Sequence, residues 1–157
     1  METGYSHSAN NQSSRPASVS YSDEALQRDL ERLRGLWQQF QSCRHRDAVY
    51  PYLSGVFDLV QWWAAEGKAV GRARRALRWQ PGEGKMLLEP FSVIIYCTSN
   101  GRGTDKKARS KWSRALRFAA MYKNDREPLE AFVKRKGGLN SCAARYARRL
   151  GRLAKTH

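Results

Sequence analysis

The chain is poor in histidine, in cysteine and, past its midpoint, in acid. Only His7, His45 and His157 occur, and two of them stand near the ends. Nucleophilic catalysis needs a nucleophile, a base and an orienting group that meet in space. Those residue types cluster in the segment "SCRHRDAVY", which holds Cys43, His45 and Asp47. A spacing of i, i+2, i+4 on a loop or helix end seldom joins three side chains, and a zinc site there lacks a fourth ligand. The run "PGEGKM" ends like a phosphate-binding loop. The first glycine of that motif is missing, however, and Met86 stands where it needs Ser or Thr. The reading is a protein that is not an enzyme, with no cofactor, no metal and no small-molecule substrate.

Cys43, Cys97 and Cys142 are odd in number, far apart and without a CxxC pair. That usage suits free thiols in a reducing compartment, so a cytoplasmic location is expected. No run approaches the roughly 18 apolar residues of a membrane span. The opening "METGYSHSANNQSSRPASVS" has no apolar core of the kind a secretory signal carries. Neither a membrane partner nor a secretory route is expected.

Acid is the most telling shortage. The net charge is +15, and 12 of those 15 excess positive charges lie after Leu88. In that half Asp125, Glu127 and Glu130 fall at a helix start, where the helix dipole favours them without any metal. A two-metal nuclease is therefore not the reading. A fold does not require such charge asymmetry, and a polyanionic partner explains it.

What is present supports a packed core. The 157 residues suffice for one domain, with 41% hydrophobic content and five tryptophans. Residues 1–20 are rich in Ser, Asn and Gln and are expected to form a disordered arm. Residues 21–157 then read as a single all-α domain. Leu26, Leu30, Leu33, Trp37 and Phe40 recur at helical spacing behind the capping residues Ser22 and Asp23, which predicts a helix to about Ser42. Its heptad-like spacing also offers residues 22–42 as a homodimer contact. A second long helix is predicted from about Asp47, with Pro51 in its first turn. Gly67 and Gly71 end or kink it, and "QPGEG" stops it. Residues 21–80 thus form a long helical hairpin.

Residues 89–157 form a basic helical half. Val93, Ile94, Ile95, Tyr96 and Thr98 favour a strand by propensity. Pro90 at a first helical position and helical neighbours on both sides favour a short buried helix, 90–99. The strand alternative implies an intertwined dimer. A helix capped by Thr104 or Asp105 follows, with Trp112 on its inner face. A short one starting at Asp125 is closed by Gly137 and Gly138. The last helix is capped by Asn140 or Ser141 and runs from Cys142 to about Ala154.

In that last helix Cys142, Tyr146, Leu150 and Leu153 are expected to face inward. Arg145, Arg148, Arg152 and Lys155 form an outward stripe with Arg149 at its edge. Residues 127–154 then read as a helix-turn-helix-like pair. In such a pair the second helix enters the major groove with its first residues near base edges. Asn140, Ser141 and Arg145 take that place; Asn pairs with adenine and Arg with guanine. Lys134 and Lys136 before the turn, and Lys107, Lys111 and Arg114 on the previous helix, are expected at phosphates. Lys68, Arg72 and Arg75 make a further basic stripe. Trp37, Trp63 and Trp112 belong to apolar stripes and are expected in the core. Trp62 and Trp79 are left open, with Trp79 beside Arg78 the one to test for stacking.

The sequence therefore predicts a DNA-binding protein, a helix-turn-helix-type regulator of transcription or replication whose partner is duplex DNA. RNA binding is the alternative within the same class. A non-enzymatic module that docks a protein through a basic face is the alternative outside it.

Overall fold

The computed structural model describes residues 20–80, 89–99 and 106–155. The arm expected over residues 1–20 lies outside them except for Ser20. So do the turn at 81–84, the loop around Arg102 and the capping positions 104 and 105. Among the described residues the chain is all-α, with seven helices and no strand.

Helix α1 (Asp23–Ser42) starts where the sequence places it. The Ser22 hydroxyl accepts the Ala25 N–H at 3.1 Å, and Asp23 and Glu24 fill the first turn. Its apolar residues Leu26, Leu30, Leu33 and Trp37 are all buried within the chain. That stripe is spent on intramolecular packing and is not available for a homodimer through 22–42. Helix α2 (Val49–Ala65) is apolar nearly all round, with nine buried residues, and so belongs in the centre. Trp37 meets Tyr52 at a ring separation of 5.1 Å, and Tyr21 meets Trp63 at 5.9 Å. Early residues of one helix thus face late residues of the other, which makes the pair an antiparallel hairpin. Gly55 permits the close approach, because a Cβ there meets Leu33 Cδ2 at 2.8 Å.

The second predicted helix is two helices. Gly67 takes φ +70°, and the Lys68 N–H closes on the Trp63 carbonyl at 2.8 Å. Only glycine enters that left-handed region without cost, so α2 ends here. Helix α3 (Ala69–Leu77) then turns back onto α1, where Arg75 pairs with Asp23 at 2.6 Å.

Residues 90–98 form helix α4 (Pro90–Thr98), not a strand. The Glu89 carboxylate accepts from the Phe91 and Ser92 N–H groups at 2.9 and 2.7 Å, and Pro90 occupies the first turn. Capping and burial override the β propensity. Six of its nine residues are buried. Tyr52 of α2 donates to Thr98 Oγ1 at 2.6 Å, and Thr98 in turn donates to the Ile94 carbonyl at 2.7 Å. Arg34 reaches the Cys97 carbonyl at 3.3 Å near the end of α4.

Helices α5 (Lys106–Tyr122), α6 (Leu129–Arg135) and α7 (Leu139–Lys155) complete the fold. Helix α6 begins four residues later than the predicted Asp125. Asn124 Oδ1 accepts the Arg126 N–H at 3.1 Å, and Pro128 disfavours helical geometry at Glu127. Helix α7 begins earlier than predicted. The Gly138 carbonyl accepts the Cys142 N–H at 3.0 Å, which puts Asn140 and Ser141 inside the first turn instead of at the cap. Helices α2 and α4 form the centre, α1 and α3 cover one side, and α5 carries α7 on the other. Trp37, Trp63 and Trp112 are in the core, whereas Trp62 is 46% and Trp79 38% exposed. No helix among the described residues is long and apolar enough to cross a membrane.

Candidate nucleic-acid interface

Helices α5 and α7 share one chemical peculiarity. Between them they carry eleven lysines and arginines and no carboxylate. Each has an apolar face that holds it to the body. On α5 these are Trp112, Ala115, Leu116, Phe118 and Ala119. On α7 they are Cys142, Ala143 and Tyr146. Apart from buried Ser113, the other residues of both helices are exposed or half-buried, and every charged one among them is a cation.

The two helices pack on each other more extensively than α7 packs on α6. Arg117 lies over the Tyr146 ring at 4.6 Å, and Arg149 donates to the Tyr122 hydroxyl. The start of α5 lines a groove with the start of α7. That groove, of about 610 Å³, is walled by Lys106, Lys107, Lys111 and Arg114 and floored by Asn140, Ala143, Ala144 and Ala147. The alanines keep the floor low between the flanking α5 cations.

Helices α6 and α7 follow each other across a three-residue connection, Lys136 to Gly138. Gly137 and Gly138 are both left-handed at φ +99° and +103°. The principal partner of α7 is nonetheless α5, and the groove lies between those two.

The predicted site residues divide by what they touch. Asn140, Arg145, Arg148 and Lys155 are exposed and have no carboxylate partner among the described residues, and Lys107, Lys111 and Arg114 have none either. Arg149 is exposed and leans on the Tyr122 ring, and Arg152 is exposed in the last turns. Ser141 is half-buried and lies back over the turn, where a Cβ on Gly137 meets its Oγ at 3.0 Å. Lys136 is half-buried over the Phe132 ring. Lys134 is committed elsewhere: its ammonium donates to Asp47 at 2.8 Å and to Glu130 at 2.9 Å. Those carboxylates hold its pKa well above the ordinary lysine range, and Lys134 in turn pulls Asp47 below the usual carboxylate range. Asp47 thus serves Lys134, and His45 Nδ1 accepts the Asp47 backbone N–H at 3.2 Å. Neighbouring Arg135 is likewise spent on Glu127 at 2.9 Å.

Leu150 and Leu153 do not face a core. They are 42% and 54% exposed because α7 outruns the body beneath it. Every residue from Arg148 to Lys155 is exposed. At 1.5 Å per residue that exposed stretch is about 12 Å long, and Arg149 within it rests on Tyr122. Burial pushes the Cys142 thiol up, against the opposite pull of Arg145 and Lys136.

No family model matches the chain, and no curated protein or solved structure does either. The site must be read from its own chemistry.

One feature was illegible in the sequence. The predicted stripe Lys68, Arg72 and Arg75 is largely neutralised, because Arg72 pairs with Glu66 at 2.7 Å and Arg75 with Asp23. The cations left open around α3 are Lys68, Arg74 and Arg78, which face a second groove shared with Arg28 and Arg32 of α1. Their alignment depends on α3 folding back at Gly67, and no local spacing announces it.

Proposed function

We propose that the chain binds duplex DNA through the face formed by α5 and α7. The observation that carries this reading is a pair of packed helices with eleven cations and no carboxylate, whose open charges flank a groove with a low alanine floor. Folding does not need such a surface. It costs self-repulsion, which a bound polyanion offsets.

Helix α7 acts as the reading element. Its diameter of about 10–12 Å suits a major groove about 12 Å wide. Asn140 and Arg145 contribute base-edge contacts, while Arg148, Arg152, Lys155 and the α5 residues Lys107, Lys111 and Arg114 hold phosphates. Lys134 is not among the phosphate contacts, because Asp47 and Glu130 already occupy it. Helices α6 and α7 serve as the helix-turn-helix-like unit, with α5 as the platform beneath it. A regulatory role in transcription or replication follows from sequence-selective binding of this kind.

The test is fluorescence anisotropy of a labelled duplex at fixed salt, comparing the wild type with Arg145→Ala/Arg148→Ala. The double variant is expected to bind at least about tenfold more weakly. Both side chains are exposed, so the circular dichroism spectrum should not change. Equal binding by the variant overturns the reading. A clear preference for double-stranded RNA over DNA of the same sequence replaces it with the RNA-binding alternative.

A further inference from the structure

The second groove lies on the other side of the fold, between α1, the end of α2 and α3. It measures about 1430 Å³ and is lined by, among others, Tyr21, Arg28, Arg32, Trp62, Arg74 and Arg78. That volume exceeds the roughly 300–1,000 Å³ of small-molecule sites and suits a segment of polymer. Its chemistry differs from that of the α5–α7 face, because here an aromatic ring stands among the cations. Trp62 is nearly half exposed, although its neighbour Trp63 is fully buried. Tyr21 braces it edge-on at 5.4 Å, and Arg72 lies 5.3 Å from its ring. The indole is thus held rigidly at the groove instead of being folded into the core.

The groove's own carboxylates are already engaged. Asp29 accepts the Tyr21 hydroxyl, and Glu66 holds Arg72. Arg75 is tied to Asp23. The four arginines that remain, Arg28 and Arg32 on α1 with Arg74 and Arg78 opposite, are exposed and have no carboxylate partner among the described residues.

We propose that this groove binds single-stranded nucleic acid, with phosphates on Arg28, Arg32, Arg74 and Arg78 and a base stacked on Trp62. An aromatic platform inside a cationic groove is the arrangement that takes unpaired bases without reading their sequence. A duplex keeps its bases stacked inside and has no use for the indole. The site is therefore separate from the α5–α7 face, and one chain holds a duplex on one side and a single strand on the other. Four phosphate contacts to a single strand give a log affinity that falls with log salt at a slope of about −3.

The test uses a labelled oligothymidylate of about twelve nucleotides, within the span such sites cover, and the full-length chain. Trp62→Ala should weaken binding roughly tenfold, while Trp62→Phe, which keeps a ring, should recover most of it. Arg74→Glu/Arg78→Glu should abolish binding at moderate salt. Arg145→Ala/Arg148→Ala should leave oligothymidylate binding unchanged while weakening duplex binding, so the two sites fail independently. The proposal is overturned if the wild type does not bind the oligonucleotide. Wild-type binding by the Trp62 and Arg74/Arg78 variants also overturns it. So does a groove that prefers phosphatidylserine vesicles to the oligonucleotide through these same residues.

Discussion

The structure separates cations that are free from cations that are spent, and that difference is measurable. On α5 and α7, Lys106, Lys107, Lys111, Arg114, Arg145, Arg148 and Lys155 have no carboxylate partner among the described residues. Lys134 and Arg135 lie close in sequence to α7 but sit on Asp47, Glu130 and Glu127. Each phosphate neutralised contributes about −0.9 to the slope of log affinity against log salt for a duplex. Four to six engaged residues give a slope of about −4 to −5, a loss of roughly a thousandfold in affinity from 50 to 200 mM salt at the steeper value. Arg148→Ala/Lys155→Ala, which removes two of the phosphate contacts, should flatten the slope by about 2. Lys134→Ala/Arg135→Ala removes the same formal charge and should leave the slope unchanged, because those groups release no counterions on binding. Anisotropy titrations of one duplex at four or five salt concentrations read both variants. Equal flattening by the two pairs would refute the distinction, and with it the assignment of phosphate contacts from ion pairing.

Two further predictions concern the body that carries the site. Tyr52→Phe removes a donor but leaves Thr98 bonded to Ile94, and should cost about 1 kcal/mol; Thr98→Val leaves the buried Tyr52 hydroxyl only its longer bond to the Ile95 carbonyl, 3.4 Å, and should cost about 1–2 kcal/mol. Urea unfolding should show the double variant less destabilised than the sum of the two, and strict additivity would contradict the α2–α4 contact. Stability should also fall in alkali. Burial pushes the Cys97 thiol up to about 12 from 9.0 and holds the Tyr52 hydroxyl above the usual tyrosine range. The unfolded chain therefore loses protons from about pH 9 while the folded chain keeps them, and the urea midpoint declines from there toward about pH 12. Cys97→Ala should make that decline shallower, and an unchanged decline would show that the thiol does not ionise differently on unfolding.

Much of the helical frame was legible because it rests on local signals. Leu26, Leu30, Leu33 and Trp37 announce the buried face of α1, and Ser22 announces its start. Pro90 outweighed the β-branched run of α4, although the Glu89 cap went unread. The errors share one cause, since each depended on what lies beyond a helix in space. Leu150 and Leu153 have the spacing of a buried stripe, but the support beneath α7 ends before they are reached. Trp63 lies in the core as expected, and the fold turns its neighbour Trp62, which the sequence left open, to a groove. Lys134 carries the right charge at the right distance from a turn, and only the fold brings Asp47 to it.

The most direct test of the central claim is to map a bound duplex onto the chain by amide chemical-shift changes. The account predicts the largest changes over Lys106–Arg114 and Asn140–Lys155, with little at Lys134 and Arg135. Changes confined to other helices, or none at saturating duplex, would contradict it.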